Sequence, residues 1–271
     1  MRRVFPLFLA VCVSFAAPSG AVSLSEETMA RMAAADVVIL GEVHDNPAHH
    51  EAQAGLVASL QPAALVFEML TGSQARTVTP QLRDNEDVLA ETLGWAESGW
   101  PDFAMYYPIF TAAPQAKIYG AAVPRAAARG AMESGLAQAF GEEAERFGLT
   151  QALDEAEQTQ RERLQFEAHC EALPPELLPA MVDIQRLRDA RLAEAVENAL
   201  SETGGPVVVI TGNGHARADW GVPRYLRRVV PDATLFTLGQ SEGGLVLPGA
   251  FDAVIDAPIV DRPDPCDAFR N

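Results

Sequence analysis

Four of the five histidines in this chain fall in two short segments that each contain a Gly-x-x-His motif. The first segment, residues 41–51, reads GEVHDNPAHHE, and its motif runs from Gly41 to His44. The second segment, residues 211–217, reads TGNGHAR, and its motif ends at His215. Imidazoles beside carboxylates are groups that proteins use to bind divalent metals or to transfer protons. Both segments are therefore candidates for a chemical centre.

A carboxylate at position 68 extends this set. Glu68 interrupts the apolar run ALVFEM, where an unpaired carboxylate would be costly to bury, so a ligand or a charged partner is expected beside it. His44, Glu68 and His215 together make a candidate metal site with oxygen and nitrogen ligands. The same three residues, with Glu42 as a general base or further ligand, make a candidate catalytic acid/base centre. The residues alone leave both interpretations open.

The surrounding elements place the two motifs at strand ends. Apolar, β-branched runs predict six strands, at residues 36–40, 64–69, 117–123, 206–211, 233–238 and 251–255. Asn46 and Pro47 provide a helix N-cap and first turn just after the first motif. Strands alternating with helices predict an α/β fold with a mostly parallel β-sheet flanked by helices. Ligands bind at the carboxyl ends of such strands, so one shared site is expected.

A long helical region separates the third and fourth predicted strands. Residues 154–171 and 176–201 are rich in Ala, Leu, Glu, Arg and Gln, and two prolines divide them into two helices. With residues 84–97 they predict either a helical subdomain, with an insertion at approximately 140–203, or ordinary crossover helices. A subdomain of this size could cover the active site.

The N-terminus has the order of a secretory signal peptide: basic residues, a short apolar run and then small residues. Cleavage after residues 1–21 would leave a soluble periplasmic or secreted domain, 22–271, without a transmembrane segment. Lipoprotein anchoring through Cys12 is less favoured, because a valine precedes it rather than a small residue. Cys170 and Cys266 would remain, and an oxidising compartment favours a disulfide between them. The net charge of −17 argues against nucleic-acid binding.

Four stretches carry a family resemblance: VVILGEVHDNPAHH, LVFEM, GWPDFAMYYP and GNGHARADWGVPRYL, in that order. They resemble the ChaN-like haem-binding uptake family, whose superfamily includes Tiki proteases, TraB proteins and erythromycin-esterase-like enzymes. The two Gly-x-x-His motifs, Glu42 and Glu68 match the marks of that superfamily. The resemblance implies a ChaN-like fold. It also implies haem binding for iron uptake or, from the other branches, a protease or esterase activity with or without a divalent metal.

In the ChaN branch the resemblance implies that a tyrosine ligates the haem iron. Tyr106 and Tyr107 are the candidates, because aromatic and apolar residues that could pack on a porphyrin flank them. Each is also typical of an ordinary aromatic core residue. The chain has no Cys-x-x-Cys-His sequence, so covalent attachment of haem is excluded. The prediction is a periplasmic haem-binding uptake protein, with a metal-dependent hydrolase as the alternative, and a homodimer that shares haem is compatible with it.

Overall fold

Six parallel strands form one sheet in the order β3-β2-β4-β1-β5-β6. The computed structural model describes residues 24–264 and 266–267, so the predicted signal peptide with Cys12 lies outside the described residues. The strands are β1 Val37–Leu40, β2 Ala64–Phe67, β3 Lys117–Gly120, β4 Val207–Ile210, β5 Leu235–Glu242 and β6 Ala253–Ala257. Each overlaps one of the six predicted strands, and the α/β fold is confirmed.

Helices cover both faces of this sheet. They are α1 Glu26–Ala33, α2 Pro47–Leu60, α3 Gly72–Ala75, α4 Glu86–Leu93, α5 Phe103–Ala112, α6 Arg125–Ser134, α7 Leu136–Phe140, α8 Glu155–Ala168, α9 Leu178–Thr203, α10 Asn213–Ala216 and α11 Val222–Val229. The Asn46 side chain caps α2 by accepting the Ala48 N–H, and Pro47 opens the helix as predicted. In the described part of the chain, no helix is long and apolar enough to span a bilayer.

The core is divided by the sheet into two apolar clusters. Val38 of β1 belongs to one cluster, which also contains Phe110 of α5. Its neighbour Val37 belongs to the other, together with Val196 of α9. Successive side chains of a strand point to opposite faces, so strands that are buried on both faces must be apolar throughout. This explains why the predicted strands are continuous apolar runs rather than alternating ones.

The longest helix of the helical region, α9, packs directly on the sheet. It lies against β2, β3 and β4 and therefore serves as the crossover helix that leads into β4. The helices α7 and α8 pack against α9. Pro175 begins a short 3-10 turn before α9, and α8 ends at Ala168, so the predicted break between the two helices is confirmed.

A disulfide and an arginine are among the contacts that attach the C-terminal tail to the body. Cys170 and Cys266 form a disulfide, which confirms the sequence prediction. Arg262 donates through Nε to Asp45 and through Nη1 and Nη2 to Glu242. Because Asp45 directly follows His44, this contact ties the tail to the loop that carries the first motif.

Candidate functional site

Three neighbouring strands end at the candidate site. Leu40 of β1 pairs with Ile210 of β4, which pairs with Phe67 of β2, so the residues after these three positions share one edge of the sheet. The two turns that follow β1 and β4 are directly joined, since the Asn213 N–H donates to the Glu42 carbonyl at 3.0 Å. The structure thus brings both Gly-x-x-His turns and the residue after β2 together.

In the first turn, His44 is hydrogen-bonded to the buried Glu42 carboxylate. His44 Nδ1–H donates to Glu42 Oε1 at 2.7 Å, while the Tyr106 hydroxyl and Gln53 Nε2 also donate to the Glu42 carboxylate, each at 2.8 Å. Burial alone would lower the pKa of His44, but Glu42 and Glu68 outweigh it and raise that pKa. The His44 side chain is 36% exposed, so it can meet a ligand.

The other two histidines of the first segment support the loop. The Val43 N–H donates to His49 Nδ1 at 2.9 Å, and His49 Nε2–H donates to the Ser241 carbonyl at 3.1 Å. Burial lowers the pKa of His49, which agrees with the neutral form that these bonds require. His50 Nε2–H donates to the His44 carbonyl at 2.8 Å. Both rings are buried and hold backbone groups of the loop.

The second turn places His215 between two carboxylates. Its Nδ1 lies 2.6 Å from Asp189 Oδ1, and its Nε2 lies 3.5 Å from Glu68 Oε1. Burial would lower the pKa of His215, but Glu68 and Asp189 outweigh it and raise the pKa to about 9. At neutral pH this side chain is therefore an imidazolium. Asp189, on α9, is the member of the site that the sequence analysis missed.

Glu68 interacts electrostatically with both histidines. Its Oε2 accepts hydrogen bonds from the Thr211 hydroxyl at 2.7 Å and from the Gly212 N–H at 2.8 Å. Burial would raise the pKa of Glu68, but His215 and His44 lower it further than burial raises it. The charged partner expected beside this buried carboxylate is thus His215. A Cβ at Gly212 would lie 3.1 Å from His44 Nε2, so the backbone of the second turn closely approaches the His44 ring.

The predicted metal centre at His44, Glu68 and His215 receives no support from this geometry. Among the described residues, no group of three or more His, Cys, Asp or Glu side chains is arranged to hold a metal ion. His215 is instead occupied by its contacts with Asp189 and Glu68. The Glu68 carboxylate already binds Thr211 and Gly212.

The two predicted haem ligands lie on α5 and make internal hydrogen bonds. Tyr106 is fully buried, and its hydroxyl donates to Glu42 Oε1 at 2.8 Å. Burial and the Glu42 carboxylate both raise the pKa of Tyr106, which disfavours a phenolate. Tyr107 is half-buried and donates to the Arg83 carbonyl at 2.8 Å. Haem ligation by either residue remains a prediction, and it would require these hydrogen bonds to break.

A pocket of about 740 Å³ opens above the strand ends. Its floor contains the carboxylates and imidazoles of the two turns, and its wall contains Met69, Trp100 and Val123. Arg125 and Arg188 also line it. The volume is within the range of sites that hold cofactors and other small molecules. The fold and this pocket define an α/β protein with a paired carboxylate–imidazole site at the carboxyl edge of its sheet.

Comparison with known proteins gives the family. Residues 28–226 match the family described as haem-binding uptake, Tiki superfamily, ChaN. The chain belongs to this family, which confirms the resemblance identified from the sequence. No curated protein matches it in sequence.

A solved ChaN structure supports the α/β fold, and a second solved structure is less similar. One, described as cofacial heme binding to ChaN of Campylobacter jejuni, is 20% identical with a TM-score of 0.65, over 83% of this chain and 89% of that one. The type III effector HopBA1 is 11% identical with a TM-score of 0.47, over 85% and 91% of the two chains.

Proposed function

We propose that this protein binds haem non-covalently and serves in haem or iron uptake. The observation that carries the proposal is the match to the haem-binding uptake family over residues 28–226. Binding a haem calls for an apolar wall, a donor atom for the iron and cations for the propionates. The large pocket has the chemistry of this set: Trp100 is in its wall, Arg125 and Arg188 line it, and His44 is in its floor.

His44 is the iron donor that the pocket itself supplies. Glu42 accepts a hydrogen bond from its Nδ1, the arrangement that orients imidazoles bound to metals, and its Nε2 has no hydrogen-bond partner among the described residues. Haem would bring the iron chemistry, and the protein would bind and orient it. Tyr106 and Tyr107 remain the alternative donors proposed from the sequence.

Haemin titration of the purified protein, residues 22–271, tests this proposal. We expect a Soret band at micromolar haemin. His44→Gln, Tyr106→Phe and Tyr107→Phe are compared separately, and the variant that changes the spectrum of the bound haem identifies the donor. Light scattering during the titration reports whether two copies share the ligand. Absence of a Soret band in the wild-type protein would overturn the proposal.

Extracytoplasmic location is part of this proposal. The Cys170–Cys266 disulfide supports it, because such bonds persist in oxidising compartments. An alkaline phosphatase fusion to the N-terminal segment in a bacterial host should be active outside the cytoplasm. Deletion of residues 1–21 should abolish that activity.

Acid/base hydrolysis is a second candidate function, which the family match does not favour and which rests on the chemistry of the pocket alone. His44, His215 and the Glu68 carboxylate line one pocket, and Glu68 interacts electrostatically with both histidines. In ester hydrolysis, the Nε2 of His44 would accept a proton from the water that attacks the ester carbonyl carbon. The His215 imidazolium would donate a proton to the alcohol oxygen as its bond to that carbon breaks. An ester panel tests this: His44→Gln and His215→Gln should each abolish turnover, and EDTA should leave it unchanged. A wild-type protein that hydrolyses none of the esters would count against it.

A further inference from the structure

Two arginines at the large pocket lack the hydrogen-bonded partners that most other described arginines have. Arg125 begins α6, and Arg188 lies on α9 beside Asp189. Neither guanidinium has a hydrogen bond or an ion pair with any described residue, although both line the pocket. By contrast, Arg146 binds Glu197 through two parallel hydrogen bonds, and Arg262 binds both Asp45 and Glu242. The two pocket arginines are therefore available to a ligand.

The charges of the pocket floor are already satisfied without these arginines. Glu42 accepts hydrogen bonds from three side chains, including His44. His215, whose pKa is raised to about 9, contacts both Glu68 and Asp189. The acidic floor therefore does not require Arg125 or Arg188 as a counter-ion. In a chain with a net charge of −17, this leaves a local site of positive charge on the pocket.

The two arginines approach the pocket from different elements. Arg125 lies against the loop that precedes α5, since a Cβ at Gly99 would lie 3.3 Å from its Nη2. Arg188 is half-buried and close enough to oppose the protonation of His215. A planar guanidinium presents paired N–H donors that match a carboxylate or a phosphate group. The two positions can thus contact an anion that enters the pocket.

We propose that Arg125 and Arg188 form an anion-recognition site in the large pocket, which binds the carboxylate or phosphate group of its ligand. The propionates of haem are one source of that chemistry, and this part rests on the proposed haem function. A phosphorylated or carboxylated small molecule is the other source. In either case the arginines hold the anionic end of the ligand, and the strand-end histidines meet the remainder.

The first experiment compares the Kd of haemin with the Kd of haemin dimethyl ester, whose propionates carry no charge. The difference measures how much the propionate charges contribute to binding, apart from the macrocycle. Wild type should bind haemin at least about tenfold more tightly than the diester, because charge-assisted Arg–carboxylate bonds are strong. Arg125→Gln and Arg188→Gln should each lose most of that difference while binding the diester like wild type. Arg129→Gln is the matched control, since Arg129 is exposed on the same helix and does not line the pocket.

A second arm uses inorganic phosphate and needs no haem. Phosphate should raise the Tm of wild type and of Arg129→Gln, and it should raise the Tm of Arg125→Gln and Arg188→Gln much less. If haemin binds and both arginine variants keep the full preference for haemin over the diester, the anion site is wrong while haem binding stands. If haemin does not bind, the haem proposal fails, and the phosphate arm alone decides: no shift in wild type overturns the anion site.

Discussion

The two Gly-x-x-His turns share a motif and a position in the sheet, but their histidines have different environments. His44 takes its carboxylate partner, Glu42, from its own turn and is 36% exposed. His215 takes Asp189 from a distant helix, and its side chain is 10% exposed. The negative charge of Glu68 raises the pKa of both histidines.

This difference assigns different roles to the two turns. A half-exposed imidazole with a free Nε2 can exchange protons or bind a ligand. The buried His215 imidazolium contacts two carboxylates and joins α9 to the strand ends, and it would donate a proton only in the hydrolysis alternative. The repeated motif therefore predicts a shared location but does not predict a shared function.

Asp189→Asn should have the largest effect, and it acts on the second turn. Removing one partner of a buried ion pair costs about 3 to 5 kcal/mol of unfolding free energy, because the remaining charges are poorly compensated. Urea unfolding measures this. Glu202→Gln is the control, since Glu202 forms an exposed pair with Lys117 and its removal should cause no measurable change. Equal stability of the two variants would show that the buried pair is not structural.

The pH dependence of stability should come next in size. The pKa of His215 is about 9 in the folded protein against 6.5 as its ordinary value. Its contribution is therefore complete below about pH 6.5 and is lost as the pH rises through 9, a change of about 3 kcal/mol. Urea unfolding between these pH values measures the loss. NMR titration of the His215 ring provides an independent check, and a midpoint near 6.5 would contradict the ion pair.

Asp189 could not be predicted as a site residue from the sequence. The strands and the turns after them could be predicted, because apolar runs and Gly-x-x-His motifs are local signals. Asp189 lies in a 26-residue helix that carries several charged residues. Its spacing from Val182 and Val196 places it on the buried face of that helix, and this was the signal available. Its partner is 26 residues away, a distance that no local pattern spans.

The tyrosines of α5 show a second limit. Their aromatic neighbours made them candidates for haem ligation and were equally compatible with a core, and Phe103, Phe110 and Tyr106 do belong to the core cluster between α5 and the sheet. Haem ligation by either tyrosine stays a prediction. Apolar neighbours are equally typical of a ligand surface and of a core. The order of the strands in the sheet could not be predicted from the sequence either, because the adjacency of β1, β4 and β2 depends on how the crossover helices pack.

Tyr106→Phe should have a moderate effect, and it acts on the first turn. The hydroxyl donates to the buried Glu42 carboxylate, and hydrogen bonds to charged groups contribute about 1.5 to 3 kcal/mol. Tyr107→Phe is the matched control, since its hydroxyl donates to the neutral Arg83 carbonyl and should cost about 1 kcal/mol. Urea unfolding of both variants measures the difference. A larger cost at Tyr107 would mean that Glu42 does not depend on this donor.

Gly212→Ala should have the smallest effect on stability and should separate the two histidines. The added Cβ would lie 3.1 Å from His44 Nε2, so the His44 ring must move by a few tenths of an ångström. Gly214→Ala is the control, because a Cβ there meets nothing within 4 Å. In NMR spectra the His44 ring signals should shift in Gly212→Ala and stay in place in Gly214→Ala. The His215 ring, held by Asp189 and Glu68, should change little in either variant. A shift at His215 equal to that at His44 would mean that the two turns respond as one unit, and the division of roles between them would fail.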